Sequence, residues 1–322
     1  MRAELSIIIV NWNAGALLQR CVHSILQNPP KVNWEILIID NASTDGSTDW
    51  LKTDQSRESP LSTLPIRLIE NSENVGFGRA NNQAFKVSQA PLVLLLNPDT
   101  EVTPRAIDTL IATIHSSARI GACGPKLINQ DGSVQISVWR NPPSAWEIVL
   151  SQMKLYLLLP RRIRGELLLG GHWDHGRLRR VPMLSGAAIL ARRAMIDEVG
   201  GFDERFHVYG EDNEWCLRIT RSGWHLVFEP RAVILHRGAQ SSSQRWSSLQ
   251  KLRVQLEASY FYQENSLLRW QLITNQMAAF LTSSIQYLWR RLRGIRAPEL
   301  KLAQQLHWSH LKRAFGDKRP LP

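Results

Sequence analysis

The sequence contains few cysteines, and their spacing excludes two kinds of structural site. Its three cysteines, Cys21, Cys123 and Cys216, lie far apart along the 322 residues, and no C-x-x-C pair occurs. They offer neither a disulfide framework nor the ligand spacing of a zinc site. This cysteine usage is typical of a protein from a reducing compartment.

Long apolar runs are also absent. No run reaches the roughly 18 apolar residues that a transmembrane helix needs, so none is predicted. The first apolar run is short and follows Glu4, which argues against a signal peptide. The apolar share of 43% is nevertheless that of a globular protein with a substantial core. We therefore expect a cytoplasmic protein.

A complete glycine motif for dinucleotide binding is missing as well. The segment with Gly76 and Gly78 lacks the third glycine of G-x-G-x-x-G and comes late in the chain. This absence disfavours a nicotinamide or flavin oxidoreductase. A glycine-rich turn that opens a helix can still bring Arg79 close to a phosphate. Taken alone, the segment is better explained as a tight turn.

Positive charge is concentrated near the end of the sequence. Residues 250–322 contain 12 lysine and arginine residues against four acidic ones, within a whole-chain net charge of +11. Such a basic tail suggests an anionic membrane surface or nucleic acid as a partner. Residues 267–296 show an amphipathic helical pattern that includes Trp270 and Trp289, which suits a membrane interface. We predict membrane-surface contact and no nucleic-acid partner, with a helical cap or a dimer surface as the alternative.

Strand-like and helix-like segments alternate from the start of the chain. Apolar runs at residues 5–10 and 34–39 enclose residues 14–26, where apolar side chains recur at helical spacing. This order is typical of βαβ units and predicts a parallel sheet with flanking helices. Further along, the turn at Asp131-Gly132 lies between two extended-looking segments and predicts a hairpin.

One apolar run has the character of a buried strand that stops abruptly. Residues 92–96 are all apolar, and Asn97-Pro98-Asp99 follows them directly. Because Pro98 cannot extend a strand ladder, Asp99 should lie just past the strand's carboxyl end, where ligands bind in open α/β sheets. A carboxylate there could hold a divalent cation against a diphosphate. An ordinary turn and helix cap explains the same residues equally well.

Four further candidates, Asp40, Glu211, Asp212 and His236, fall at the ends of predicted elements. A parallel sheet gathers its strand ends at one edge, so these residues could converge although they are distant in sequence. His236 could join Asp99 in a hard-cation site, and Glu211 or Asp212 could take a proton from an attacking hydroxyl. Asp40 could accept a hydrogen bond from a ribose or a base. Each residue could instead be a cap or a surface charge.

Six motifs occur in an order that resembles one enzyme family. The chain is similar to glycosyltransferases of family 2, which have the GT-A fold, and most similar to bacterial rhamnosyltransferase-like members. The resemblance covers about residues 5–238. The motifs are S-I-I-I-V-N-W-N, I-I-D-N-A-S-T-D-G-S, N-V-G-F-G-R-A-N-N, L-L-L-N-P-D-T, L-S-G-A-A-I-L-A-R-R and G-G-F-D-E-R-F-H-V-Y-G-E-D-N-E-W-C-L-R.

The resemblance implies how the donor is bound. The family's metal-binding D-x-D appears as Asn97-Pro98-Asp99, which leaves Asp99 as the main ligand of a divalent metal, Mg or Mn. By the same resemblance, His236 is a later metal ligand and Asp40 contacts the nucleoside. We take Asp40, Arg79 and Asn97 as the residues that bind the nucleotide-sugar donor.

The resemblance also implies the chemistry. In the family's E-D element the aspartate is usually the base, which assigns proton abstraction to Asp212, while Glu211 binds or orients the acceptor. The predicted reaction is an inverting transfer of a sugar, with rhamnose as the first guess, from a nucleotide diphosphate to an acceptor hydroxyl. The acceptor is expected to be a saccharide or a lipid-linked molecule in cell-surface polysaccharide or glycolipid synthesis. A non-catalytic nucleotide-sugar-binding protein on the same fold is the alternative.

The expected architecture is therefore an α/β protein with a GT-A fold. A mixed, mainly parallel sheet flanked by helices is expected in residues 1–240, the catalytic domain. Residues 241–322 are expected to form a basic amphipathic helical extension. We expect the protein to lie at the inner face of the cell membrane as a peripheral protein, and the sequence leaves its oligomeric state open.

Overall fold

The structure divides the chain into two compact units. A computed structural model describes residues 2–53, 64–139, 141–206, 208–238 and 247–316. The predicted domain boundary at residues 240 and 241 lies outside the described residues, and the two-domain division stays a prediction. The first unit comprises residues 1–139, 175–207 and 215–241, and the second comprises residues 140–174, 208–214 and 242–322.

A single mixed sheet forms the centre of the first unit. Within the described residues it has nine strands in the order β3-β2-β1-β4-β8-β6-β9-β5, and β7 also pairs with β9. The strands are β1 (Leu5–Asn11), β2 (Trp34–Asp40), β3 (Ile66–Glu70), β4 (Leu92–Leu96), β5 (Thr100–Val102), β6 (Ile120–Ile128), β7 (Arg179–Val181), β8 (Ala188–Arg192) and β9 (His225–His236).

Most of these strands run in one direction. β3, β2, β1 and β4 pair in parallel, whereas β8 runs antiparallel to both β4 and β6. Since β9 pairs in parallel with β6, it has the direction of β4. The carboxyl ends of β1, β2, β4 and β9 therefore share one edge of the sheet, and the predicted mixed sheet is confirmed.

Helices flank the sheet and make up most of the second unit. The described residues contain α1 (Ala16–Gln27), α2 (Asp49–Thr53), α3 (Phe77–Val87), α4 (Ala106–His115), α5 (Ala145–Gln152), α6 (Arg161–Leu168), α7 (Arg193–Val199), α8 (Glu211–Arg221), α9 (Ser248–Ser266), α10 (Arg269–Leu292) and α11 (Pro298–Ala314).

The core explains why these segments adopt their structures. All five residues of β4 are buried between β1 and β8, as the uniformly apolar run predicts. On α1, Leu18, Cys21, Val22 and Ile25 recur at helical spacing and are buried in the same apolar cluster as alternate residues of β1 and β4. Each fully buried side chain of this kind contributes about 1.5–3 kcal/mol of transfer free energy.

The three cysteines belong to this interior. All are buried and none forms a disulfide. Burial raises the pKa of the Cys21 thiol to about 12 and also raises the pKa of Cys123. Because the thiolate is the reactive form, these two thiols are inert at neutral pH.

The hairpin predicted around Asp131-Gly132 is present in a short form. Across the turn, the Asn129 amide donates to the Ser133 carbonyl over 2.8 Å and the Gln135 amide donates to the Leu127 carbonyl over 2.9 Å. Between these two hydrogen bonds lies an antiparallel bridge from the end of β6 to the segment after the turn. The pairing brings Gln135 to the edge of the sheet.

The helical pattern predicted for residues 267–296 is confirmed as α10, which is one helix of 24 residues. Among the described residues, no helix combines the length and the apolar character needed to cross a membrane. Within the second unit, α10 packs against α11 and α5.

Candidate active site

Polar side chains collect where the parallel strands end. Asn11 closes β1, Asp40 closes β2, Asn97 follows β4 and His236 closes β9. These residues are up to 225 positions apart in sequence, and the sheet topology brings them to one edge. This edge is where ligands bind in open α/β sheets.

Asp40 organises the loop that follows β2. Its Oδ1 accepts hydrogen bonds from Asn11 Nδ2 over 2.7 Å and from Ser43 Oγ over 2.6 Å, and its Oδ2 accepts from the Ser43 amide over 3.0 Å. Only 3% of Asp40 is exposed. The carboxylate is therefore held by internal donors, and its predicted contact with a nucleoside stays a prediction.

The turn after β4 is fixed from both sides. The Asn97 amide donates to the Ala187 carbonyl over 2.9 Å, and the Asn97 carbonyl accepts from Thr100 Oγ1 over 2.7 Å. Thr100 then begins β5, directly opposite His236 on β9. The Asp99 carbonyl also accepts from the Arg237 amide over 2.9 Å. Two sets of backbone contacts therefore hold Asp99 beside the end of β9.

This arrangement pairs the side chains of Asp99 and His236. Asp99 Oδ1 lies 3.2 Å from His236 Nε2, and each side chain is only 13% exposed. His236 Nδ1 lies 2.5 Å from Gln135 Oε1. Gln135 was not among the predicted site residues, since it is 101 residues from His236 and lies in no motif.

The Gln135 contact determines which imidazole nitrogen carries the proton. Gln135 Nε2 donates to Asn129 Oδ1 over 3.1 Å, so the amide oxygen Oε1 is the atom that faces His236. An amide oxygen only accepts, and Nδ1 must therefore be the donor. In the neutral imidazole, the lone pair of Nε2 then points toward the Asp99 carboxylate.

A positive charge is needed between these two groups. A nitrogen lone pair and a carboxylate oxygen 3.2 Å apart repel each other unless a proton or a metal cation lies between them. Asp99 and His236 thus fit a divalent cation that takes oxygen and imidazole ligands. In the described part of the chain, no cluster of three or more histidine, cysteine or acidic residues is suited to a metal. A cation held by these two side chains would therefore keep positions open for further oxygen ligands.

Gly238 allows the backbone to approach this pair closely. Its φ of +57° lies in the left-handed region, and a Cβ at this position would meet Gln135 Nε2 at 3.1 Å. A larger residue would strain the turn and press on the amide that orients His236.

Arg79 has a different partner. At the start of α3 its Nε donates to Glu204 Oε2 over 3.0 Å, and both side chains are well exposed. Asn82, one turn further on, donates to Glu204 Oε1 over 3.1 Å. The structure thus places Arg79 in an ion pair, and its predicted phosphate contact stays a prediction.

Glu211 and Asp212 begin α8, as the acidic residues predict. Asp212 Oδ1 accepts a hydrogen bond from the Asn213 amide over 2.8 Å. Further along this helix, Trp215 is fully buried. Its ring lies 4.6 Å from the Phe202 ring, centroid to centroid, at a tilt of 40°, and its Nε1 donates to the Gly200 carbonyl over 2.9 Å. Trp215, Phe202 and Gly200 belong to the first unit, whereas Glu211 and Asp212 belong to the second.

Glu211 holds its proton unusually tightly. Its Oε2 atom is buried without a hydrogen-bond partner among the described residues, although other parts of the residue are exposed. Burial, with a smaller effect from the charge of Asp212, raises the pKa of Glu211 to about 8. At neutral pH this carboxyl is therefore mostly protonated, which relieves its repulsion with Asp212.

Of the predicted site residues, the structure joins Asp99 and His236 directly. Asp40 and Asn97 lie at the ends of neighbouring strands of the same edge, and Arg79 pairs with Glu204. Glu211 and Asp212 share the first turn of one helix. The assigned roles of all seven residues stay predictions.

Comparison with known proteins connects this fold to sugar transfer. A family model described as Glycosyl transferase family 2 matches residues 6–199. An N-acetylglucosaminyl-diphospho-decaprenol L-rhamnosyltransferase of Mycobacterium tuberculosis is 30% identical over 270 residues, which cover 75% of this chain and 78% of the relative. The O-antigen biosynthesis protein RfbC of Myxococcus xanthus is 26% identical over 256 residues, covering 75% of this chain and 18% of the relative.

Solved structures show the same fold at low sequence identity. GalNAc-T7, solved with UDP, GalNAc and Mn²⁺, matches with a TM-score of 0.60 and 18% identity, covering all 100% of this chain, which spans 59% of that protein. The mannosyltransferase PcManGT of Pyrobaculum calidifontis, solved with GDP-Man and Mn²⁺, matches with a TM-score of 0.53 and 16% identity, covering 99% of this chain and 89% of that one. The predicted GT-A fold is confirmed.

The raised pKa of Glu211 predicts a specific pH dependence of stability. The ordinary pKa is 4.5 and the folded value is about 8, so between these values the folded state holds a proton that the unfolded state has lost. The contribution of Glu211 to stability therefore falls as the pH rises through this window. Glutamine imitates the protonated carboxyl at every pH, so Glu211→Gln should become more stable relative to wild type by on the order of 1 kcal/mol per pH unit.

Urea unfolding of both proteins at several pH values between about 5 and 8 measures this difference. A stability difference that stays constant over the whole range would mean that Glu211 ionises in the folded protein as it does in the unfolded chain.

Proposed function

The chain belongs to glycosyl transferase family 2, and on this basis we propose that it moves a sugar from a nucleotide diphosphate to an acceptor hydroxyl with inversion at the anomeric carbon. Family membership makes the protein a glycosyltransferase of glycan biosynthesis that resembles bacterial rhamnosyltransferases. The stereochemical course, the donor and the acceptor are the proposed parts. The relative from Mycobacterium tuberculosis supports rhamnose as the sugar and a lipid-linked saccharide as the acceptor.

One observation carries this proposal: Asp99 and His236 meet at the carboxyl edge of the sheet with the Nε2 lone pair directed at a carboxylate 3.2 Å away. Such a pair suits a cation, and Gln135 keeps the imidazole in the tautomer that can bind one. Hydrogen bonds within the turn hold the backbone on both sides of the Asp99 side chain, which favours a pre-organised site.

The residues that would hold Mg²⁺ or Mn²⁺ are Asp99 and His236. A divalent cation at this position would neutralise the charge that develops on the departing nucleoside diphosphate. Both structural relatives were solved with Mn²⁺, which supports this assignment. Because Asn97 replaces the first aspartate of D-x-D, Asp99 would be the carboxylate of this motif that holds the cation, and oxygens of the donor would supply further ligands.

We assign acceptor activation to the first turn of α8. Asp212 removes the proton from the acceptor hydroxyl as the bond to the sugar forms, on the face opposite the leaving group. Glu211 is mostly protonated at neutral pH, so it can donate a hydrogen bond to the acceptor and does not compete for the same proton. The unequal environments of the two adjacent carboxyls support this division of roles.

The donor's nucleoside and phosphates are assigned to Asp40, Arg79 and Asn97. Asp40 accepts hydrogen bonds from Asn11 and Ser43 and thereby fixes the loop after β2. Part of its proposed role is therefore to position this loop. Arg79 would exchange its exposed partner Glu204 for a phosphate oxygen, an exchange that costs little because exposed ion pairs are weak.

We also propose that the protein works at the inner face of the cell membrane. The basic composition of residues 250–322 and the decaprenol-linked substrate in the name of the relative from Mycobacterium tuberculosis support this location.

Replacing Asp99 tests the metal site. Asp99→Asn keeps the shape of the side chain but removes its charge, and we expect Mn²⁺-dependent binding of the nucleotide sugar to weaken by at least about tenfold. Isothermal titration with and without Mn²⁺ measures the effect. Asp197→Asn, a change at a carboxylate that is 65% exposed on α7, is the matched control and should bind like wild type. Equal metal-dependent affinity in the two variants would remove Asp99 from the ligand set.

Replacing Asp212 tests the base. Asp212→Asn should leave donor binding unchanged and lower sugar transfer by about 100-fold or more, because proton removal is lost while the metal site stays intact. Release of nucleoside diphosphate with an acceptor present is the measurement. Normal turnover by this variant would refute the assignment. A wild-type protein that binds donors but transfers nothing would instead favour a non-catalytic binding protein.

A further inference from the structure

Exposed apolar side chains are distributed very unevenly between the two units. Among the described residues, 21 large apolar side chains are exposed, and 17 of them belong to the second unit. Scattered exposed apolar residues are normal, but a concentration in one part of a protein marks an interaction surface.

The longest helix of the second unit presents such side chains as a continuous stripe. On α10 the stripe contains Trp270, Met277, Leu281, Ile285, Leu288 and Leu292, which are between 42% and 79% exposed. Successive members are seven, four, four, three and four residues apart, the spacing that keeps residues on one face of a helix. The stripe follows almost the whole helix, which is about 36 Å long.

The opposite face of α10 is mostly polar or small, with Leu272 as its one buried large apolar side chain among the described residues, yet it is the buried face. Asn275, Gln276, Thr282 and Ser283 are each 3% exposed, and Ala279 is 4% exposed. These residues are buried because they find partners within the second unit. Asn275 Nδ2 donates to the Pro143 carbonyl over 2.8 Å, Gln276 Oε1 lies 3.1 Å from His307 Nδ1, and Thr282 Oγ1 donates to Gln152.

This distribution reverses that of a helix on the surface of a water-soluble domain, which buries its apolar face. Small and hydrogen-bonding residues toward the neighbouring helices, with large apolar residues outward, are what a helix shows when its outer face meets lipid. The opposite face of α10 is occupied by protein partners. The geometry therefore permits lipid on one side of the helix only.

Cationic side chains at the end of the stripe indicate which lipids it meets. Arg290 and Arg291 lie in the last turn of α10, and Arg293 and Arg296 follow it. The guanidinium of Arg293 lies 3.8 Å from the centroid of the Trp289 ring, so a cation and an aromatic face are combined at this end. Tryptophan and arginine together are typical of the level of the lipid headgroups.

We propose that α10 lies in the plane of an anionic phospholipid bilayer, with its apolar stripe among the upper acyl chains and its terminal arginines among the headgroup phosphates. The residues 269–296 contain no acidic side chain, so a second copy of the same face would supply no counter-charge to the arginines, whereas anionic headgroups do. The inference rests on the proposed function in one respect only: the purpose given to the docking surface, which is to hold the enzyme where a lipid-linked acceptor is anchored.

Vesicle flotation of the full-length protein, without donor or acceptor, tests this surface. Wild type should float with vesicles of phosphatidylcholine and phosphatidylglycerol. Leu281→Gln/Ile285→Gln should partition at least about tenfold less, because two apolar side chains no longer leave water. Arg290→Gln/Arg291→Gln should lose most of the preference for phosphatidylglycerol over pure phosphatidylcholine, on the order of fivefold for each arginine.

Val87→Gln/Leu178→Gln is the matched control, since it replaces two exposed apolar residues of the first unit, 36% and 52% exposed, and should float like wild type. Circular dichroism and thermal unfolding confirm that each variant is folded. Equal flotation of wild type, the stripe variant and the control would overturn the proposal. So would a wild-type dimer that ignores vesicles and becomes monomeric in the stripe variant, which would make the stripe an interface between copies.

Sugar transfer by the same variants separates this inference from the proposed function. Transfer to a water-soluble saccharide acceptor should be unchanged in Leu281→Gln/Ile285→Gln, while transfer to an acceptor embedded in vesicles should slow. If flotation depends on the stripe but the protein has no transfer activity, the docking surface is supported and the proposed sugar transfer alone is contradicted.

Discussion

The electrostatic problem posed by Asp99 and His236 governs this site. The fold brings a carboxylate oxygen and an imidazole nitrogen to 3.2 Å in a shielded position, and Gln135 directs the proton of that imidazole away from the carboxylate. Such an arrangement is stable only with a positive charge between the two groups, and it is therefore pre-organised for a cation. The buried strands β4 and β9 keep the two groups in place, which is why the apolar core matters to the chemistry.

Two adjacent carboxyl groups, those of Glu211 and Asp212, differ in how readily they lose their protons. Adjacent carboxyls at the start of α8 cannot both ionise without repulsion, and the buried member, Glu211, keeps its proton to about pH 8. Burial thus gives two neighbouring carboxyls different protonation states, which is the basis of the different roles proposed for them.

Much of the first unit could be read from the sequence because its signals are local. The apolar run at residues 92–96 and the turn that follows are sufficient to place Asp99 at a strand end, and β4 has these bounds. The turn signal at Asp131-Gly132 is local in the same way, and the short hairpin that it predicts is present. The role of Gln135 could not be predicted from the sequence, because only the tertiary structure brings it to His236. The stripe on α10 was visible as periodicity, but the sequence could not show that the polar face is the buried one.

The central claim is that His236 and Asp99 bind the same metal ion through Nε2 and a carboxylate. Pulsed electron paramagnetic resonance of Mn²⁺ bound to the full-length protein with a nucleoside diphosphate tests it most directly, because a coordinated imidazole nitrogen modulates the electron spin echo. The account predicts histidine nitrogen modulation in the wild-type protein and its loss in His236→Gln. Identical spectra of the two proteins, with or without the modulation, would contradict it.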